Sequence, residues 1–275
     1  MSSNRAPLAR FLDRLLLRST LGSEEREAVL ALPGYVSQVA AHRDIVFPGR
    51  KVDHACLVVD GLTARFDQMK DGRRQITALH IPGDMCDLHS VTANVAGWGI
   101  TAVSTATVLH IPHAALLEMA ARFPAVGLAF WGDTVADGSV LAKWVSNLGR
   151  RDARARLSHL LCEMGVRMQV AGLGQRDNYP FPATQEQIAD ALGLTPVHVN
   201  RMLGPLREQG VATLRRGEVH IGDWPALVSI AEFDPAYLLY RTGDLCASSP
   251  RPRPFSPENP PSRRSSGAPG CQRGV

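Results

Sequence analysis

Apolar residues first recur with helical spacing. Leu8, Phe11, Leu12, Leu15 and Leu16 lie on one face of an amphipathic helix predicted over 8–18. Ser23-Glu24-Glu25 starts a second short helix, which ends at Pro33-Gly34. From Val36 to Pro112 the period changes. Turn pairs recur at Pro48-Gly49, Asp60-Gly61, Asp71-Gly72 and Pro82-Gly83, with short apolar runs at 56–59, 62–66 and 75–81 between them. Two more runs follow at 100–103 and 107–111. Short strands with regular turns predict an antiparallel β-roll or jelly roll, and with the flanking helices an α+β fold.

Pro112-His113 reopens the helical pattern, which breaks at Phe123-Pro124 and then runs to about Leu148. At a rise of about 1.5 Å per residue this long piece spans about 37 Å. Leu128, Trp131, Val135, Gly138, Ala142 and Val145 fall at alternating spacings of three and four, which is a coiled-coil seam. A second stripe, Phe130, Val140, Leu141, Trp144 and Leu148, is expected to face the roll. Gly127, Gly132 and Gly138 each cost about 1 kcal/mol of helix propensity against alanine. Such a helix needs packing on two sides, and a symmetric homodimer is the simplest partner for the free seam.

Gly149 marks a break before another helix over 151–168, with Ala155, Leu157, Leu160, Leu161 and Met164 as its buried side. The polar, Gly-rich stretch 170–182 reads as a loop. Thr184 and Gln187 then form a capping box ahead of a short helix whose apolar side is Ile188, Ala189 and Leu192. Gly193 ends that helix, Thr195 caps the next one and Pro196 takes its first position. Val199, Met202, Leu203 and Leu206 form the inner stripe of the second helix. This is the layout of a DNA-reading helix-turn-helix, whose second helix offers its N-terminal side chains to base edges. The candidate DNA contacts on it are Thr195, Val197, His198, Asn200 and Arg201. Two β runs, 211–214 and 219–221, enclose Arg215-Arg216-Gly217-Glu218 and predict a wing whose Arg215 and Arg216 meet the phosphate backbone. Asp223 caps a last helix over 224–233.

Composition narrows the setting. A chain of 275 residues, 45% hydrophobic, holds one large or two modest domains. Its net charge of +4 fits a nucleic-acid partner, although part of that excess lies in the Pro-, Ser- and Arg-rich tail 242–275. That tail carries too few large apolar residues to fold, and is expected to be disordered and to add weak nonspecific attraction to DNA. The five cysteines are scattered without a C-x-x-C pair, which predicts reduced thiols in the cytoplasm. No signal peptide is expected, because the N-terminus lacks a long apolar core with a cleavage site, and no membrane span, because no stretch reaches about 18 uninterrupted apolar residues.

Taken in order, β-roll, long helix, short helix and winged helix-turn-helix, the chain resembles the Crp/Fnr family of bacterial transcription regulators over roughly residues 8–235. The most specific segments are 147–157, NLGRRDARARL, and 192–201, LGLTPVHVNR. The resemblance implies a cyclic-nucleotide-binding-like sensor domain at 1–122, a dimerisation helix at 123–149 and a DNA-binding domain at 150–241. It implies a homodimer on double-stranded DNA with a two-fold operator, with RNA polymerase as a candidate partner and no membrane. It also implies a regulator rather than an enzyme. Asp84, Asp87 and His89 have no nucleophile or Gly-rich phosphate cradle beside them.

Three departures qualify the resemblance. The effector cassette reads Pro82-Gly83-Asp84-Met85-Cys86-Asp87-Leu88-His89-Ser90, where cyclic AMP binders open with Gly-Glu. Where they carry a phosphate-pairing arginine, this chain has Trp98-Gly99-Ile100-Thr101. An unneutralised buried phosphate argues against cyclic AMP, so the effector is unassigned. Gly83, Asp84, Met85, Cys86, Asp87, His89, Ser90 and Thr101 are the candidate effector contacts. The family's base-reading Arg and Glu near the start of the recognition helix are replaced by Pro196 and Val197, which leaves Arg201 as the best guanine reader. Finally, Pro205 inside that helix predicts a kink or a stop.

No cysteine precedes Cys56, which argues against the iron–sulfur cluster of oxygen-sensing members. His42, His54, His80 and His89 share no strong ligand spacing, so no cofactor and no metal is expected. Two alternatives stay open: a haem or redox sensor, with Cys86 as the thiol, and a ligand-independent protein whose β-roll serves only dimerisation.

Overall fold

The computed structural model describes residues 4–241, and the predicted disordered tail 242–275 lies outside the described residues. Helix α1 (Arg5–Leu16) buries Leu8, Phe11, Leu12 and Leu15, the face that its periodicity predicts. Helix α2 (Ser23–Leu30) follows. Seven strands come next: β1 (Tyr35–Val39), β2 (Asp44–Val46), β3 (His54–Asp60), β4 (Thr63–Gln68), β5 (Arg74–His80), β6 (Gly99–Ala102) and β7 (Ala106–Pro112). They form two antiparallel sheets, in the orders β1-β7-β3 and β2-β6-β4-β5. Val46, Cys56, Val58, Cys86, Ala96, Ile100 and Val108 fill the space between them. The Asp60-Gly61 turn needs its glycine twice over. Gly61 has φ +85°, and a Cβ there would lie 2.4 Å from the Thr105 carbonyl oxygen.

Helix α3 (His113–Arg122) breaks at Phe123, and Pro124 opens α4 (Pro124–Arg150). The seam positions face away from the rest of the chain: Leu128, Trp131, Val135 and Val145 are 51–68% exposed, and Gly138 and Ala142 are also exposed. The second stripe is covered, but largely by helices rather than by the roll. Phe130 stacks on Phe11 of α1 with ring centroids 6.0 Å apart. Trp144 donates its indole N–H to Glu163 at 2.8 Å.

Glu163 belongs to α5 (Ala153–Val170), which begins the C-terminal region. A short strand, β8 (Asn178–Pro180), precedes α6 (Gln185–Leu192), α7 (Pro196–Glu208), β9 (Ala212–Arg215), β10 (Glu218–Ile221) and α8 (Trp224–Ala231). The wing is a three-stranded sheet, β8-β10-β9, where the sequence predicts a two-stranded hairpin and a preceding loop. Buried Tyr179 pins the extra strand, its hydroxyl donating to the Leu161 carbonyl at 2.6 Å. Three residues are too few to show an alternating pattern against a polar background.

One apolar cluster runs from Ala64, Phe66, Ile76 and Leu79 of the roll through α5 to Val219 of the wing. Roll and winged domain therefore share a core. Gln75 on β5 adds polar stitching, donating to the Asp190 carbonyl on α6 at 2.7 Å.

Candidate nucleic-acid interface and effector cassette

The helix-turn-helix follows its local signals closely. The Thr184 hydroxyl accepts from the Gln187 N–H at 3.2 Å, and the Gln187 side chain accepts from the Thr184 N–H at 2.8 Å. Gly193 takes the left-handed conformation with φ +61°, which glycine adopts without steric cost. Thr195 accepts from the His198 N–H at 3.3 Å and so fixes the start of α7. Ile188, Ala189, Leu192, Val199, Leu203 and Leu206 are buried. That packing turns Val197, Asn200 and Arg201 outward, with His198 half-buried beside them. Helix α7 runs through Pro205 to Glu208. Buried Leu203 and Leu206 flank the proline, and their packing offsets its lost hydrogen bond.

Asn200 is not a free side chain, since its amide exchanges hydrogen bonds with that of Gln185. The pair lies at one end of a cleft of about 120 Å³, lined also by Leu203, Arg207, Thr213 and Arg215. Arg207 thus shares a cleft with the candidate contact Asn200, a position that sequence reasoning missed. It lies seven residues after Asn200, and the helical repeat carries that signal. Arg215 and Arg216 are exposed at the wing tip. Arg216 (φ +54°) and Gly217 (φ +77°) form the tight reversal between β9 and β10.

The cassette side chains are held by the protein itself. Asp84 is buried between two guanidiniums: Arg14 of α1 donates to one carboxylate oxygen, and Arg167 of α5 to the other at 2.7 Å. Burial alone raises a carboxyl pKa, but Arg14 and Arg167 outweigh it and hold Asp84 below the usual carboxylate range. Arg167 also donates to Glu163 at 3.1 Å and to the Leu79 carbonyl at 2.7 Å. Gly83 has φ +98°, and its N–H bonds the Val58 carbonyl. Met85 is buried in the cluster that includes Leu12 and Leu57. Cys86 lies 3.3 Å from the Thr63 hydroxyl. Asp87 accepts from the Cys56 N–H at 2.7 Å, and burial pushes its carboxyl up to about 7. Ser90 meets His113 at 2.9 Å, His89 leans on the Trp98 ring, and Thr101 donates to the Arg43 carbonyl at 3.3 Å.

The roll does contain a buried arginine, on β4 rather than in the segment Trp98-Gly99-Ile100-Thr101. Arg65 of β4 donates to Asp137 of α4 at 2.6 Å and lies over the Trp98 ring. Arg14 also bonds Asp133 of α4, at 2.9 Å. Two separate sets of ion pairs thus join these elements: Arg65–Asp137 ties the roll to α4, and Arg14, Asp84, Asp133 and Arg167 tie the cassette to α1, α4 and α5. Outside the roll, a cleft of about 320 Å³ lies between α1, Pro82-Gly83-Asp84 and the end of α5.

Of the histidines singled out in the sequence, His42 meets Gln187 at 3.2 Å, and His80 is buried. His54 lies beside Cys56 and His110, two residues that the spacing did not connect to it.

Residues 36–123 match the cyclic nucleotide-binding domain family, and residues 155–230 match the Crp-like helix-turn-helix domain family. The transcriptional activator protein FnrL of Cereibacter sphaeroides is 28% identical over 200 residues, which is 72% of this chain and 79% of FnrL. The nitrogen fixation regulation protein FixK of Azorhizobium caulinodans is 27% identical over 186 residues, covering 68% of this chain and 74% of FixK. The solved structure of FixK2 from Bradyrhizobium japonicum superposes with a TM-score of 0.67 at 24% identity, covering 72% of this chain and 98% of FixK2. β-roll, long helix and winged helix-turn-helix, in that order and with both domain families matched, place this chain in the Crp/Fnr family of transcription regulators.

Proposed function

We propose that the protein is a homodimeric, sequence-specific DNA-binding regulator whose effector is not cyclic AMP. The observation that carries the reading is the outward face of α7, where Val197 is 74% exposed and Arg201 is free of the core, set beside the arginine-tipped wing. Arg201 reads a guanine edge, while Arg207, Arg215 and Arg216 meet phosphates. The seam on α4 supports the dimer. Leu128, Trp131, Gly132 and Val135 line an open groove of about 340 Å³, and large apolar side chains seldom stay in water in such a row. A two-fold axis along α4 presents two copies of α7 to successive turns of one face of the duplex.

Two features support an effector other than cyclic AMP. The space inside the roll is occupied by side chains, and Arg65 is paired with Asp137 through one guanidinium nitrogen. The same filled interior also favours a roll that acts without a small ligand. Selection of duplexes from a random pool, followed by footprinting, tests the DNA reading. A palindromic site bound with steep salt dependence is expected. Failure to retain any duplex at low salt overturns it. Calorimetric titration with cyclic AMP is expected to show no heat of specific binding.

A further inference from the structure

Strand pairing brings together three side chains that the linear sequence keeps apart. Strands β3 and β7 run antiparallel, with Cys56 opposite His110 in register. His54 precedes Cys56 by two residues, so it shares that face of the sheet. The Cys56 sulfur and one ring nitrogen from each histidine lie within 4.8 Å of one another. We propose that His54, Cys56 and His110 form a three-ligand site for a divalent transition metal of the zinc class.

The Cys56–His110 distance and the donor types fit. Tetrahedral bonds of zinc to thiolate and imidazole place sulfur and nitrogen about 3.6 Å apart. Cys56 Sγ already sits 3.7 Å from His110 Nδ1. One thiolate with two imidazoles is a borderline-soft set, suited to zinc over magnesium or calcium. Binding exchanges the Cys56 thiol proton, which leaves to solvent, for the metal.

The surroundings orient the donors. His110 Nε2 meets the Ser37 hydroxyl at 2.8 Å, which leaves Nδ1 for the ion. His54 Nδ1 meets the Asp53 carboxylate at 2.8 Å, which leaves Nε2. A hydrogen bond on the far nitrogen is how metal-binding histidines are held in one tautomer. The Tyr35 ring stacks on His110 at 4.7 Å and fixes its plane. Buried Asp87 bonds the Cys56 N–H through one oxygen, while its other oxygen has no hydrogen-bond partner among the described residues. That bond ties the cassette to the ligand strand. Cys56 and His110 are buried, whereas the His54 side chain is 25% exposed and marks the entry.

The site stands independently of DNA binding and is tested without it. Reduced full-length protein is stripped with chelator and titrated with Co²⁺ under anaerobic conditions. One Co²⁺ per chain is expected, with a thiolate-to-cobalt charge-transfer band and intense tetrahedral d–d bands, all bleached by Zn²⁺. Cys56→Ser should abolish the charge-transfer band, while Cys86→Ser, a thiol in the same roll, should keep it. Cys56 is buried, so Asp53→Asn at the exposed rim supplies a variant that leaves the core intact. It should weaken Co²⁺ binding by about tenfold or more. Absence of the charge-transfer band overturns the proposal, as does a band that survives Cys56→Ser or an affinity unmoved by Asp53→Asn.

Discussion

Asp84 of the cassette 82–90 and Arg167 of α5 form a buried ion pair at 2.7 Å, with both side chains less than a tenth exposed. The pair joins the strand-rich N-terminal domain to the first helix of the helix-turn-helix region. Arg14 closes it from α1 and also reaches Asp133 on α4. The position that the sequence marks as an effector contact is therefore also a mechanical junction. A ligand shifts a conformational equilibrium only by favouring one packing over another, and at this junction the cassette, α1, α4 and α5 meet.

Removing Arg167 leaves Asp84 and Glu163 with buried charge that is only partly compensated. Arg167→Met should cost about 3–5 kcal/mol of stability, read as a lower urea midpoint at unchanged slope. The double variant with Asp84→Asn should be less destabilised than the sum of the two single variants. Strict additivity would show that the two side chains do not act as a pair.

Arg201 and the wing arginines should fail in different ways. Arg201→Ala should cost about 1–3 kcal/mol of operator binding and relax base preference at one position. Arg215→Ala and Arg216→Ala should weaken all duplexes alike and shallow the salt dependence, by about one unit of slope for each phosphate no longer neutralised. Competition binding against single-base operator variants, repeated at several salt concentrations, separates the two behaviours.

Trp131, 68% exposed and the largest side chain of the α4 seam, is the one on which self-association should turn. Trp131→Glu places a charge in the middle of the groove. Sedimentation velocity is expected to give a dimer for the parent chain and a monomer for the variant, with operator affinity falling in step. A dimer that persists would move the interface elsewhere.

Two buried histidines predict acid sensitivity. Burial lowers His159 and His80 to about 3, against an ordinary value near about 6.5. Both ring nitrogens of His159 lack a hydrogen-bond partner among the described residues, and its ring packs on Phe233 and Tyr237. Below about pH 6.5 the unfolded chain takes up these protons while the folded chain does not. Stability should therefore fall as pH drops from about 6.5 towards 3, by up to about 2 kcal/mol per histidine at pH 5. His159→Phe should shrink the loss between pH 7.5 and 5, measured by urea melts at both values.

Much of the winged domain is local physics. The capping box at Thr184 and Gln187, the left-handed Gly193 and the Thr195-Pro196 start depend on neighbours within four residues. They are readable before any fold is known. The seam on α4 is legible for the same reason, because helical periodicity alone decides which residues share a face. Strand β8 escapes notice because its stabilising bond, from Tyr179 to Leu161, is tertiary. Arg207 shares a helix face with Asn200 by spacing alone, but the wing that makes that face one wall of a cleft arrives only on folding.

The order of elements, the caps, the turn glycines and the apolar seam were determined by sequence, since each rests on spacing along one chain. What tertiary structure alone decided is which distant groups meet. Asp84 is a polar cassette residue in the sequence and a buried counter-ion for Arg14 and Arg167 in the fold. His54, Cys56 and His110 show no ligand spacing, because the register of β3 on β7, and not the count of residues between them, sets their separation. Antiparallel pairing converts a gap of 54 residues into facing positions about 5 Å apart, and no periodicity within either strand encodes that register.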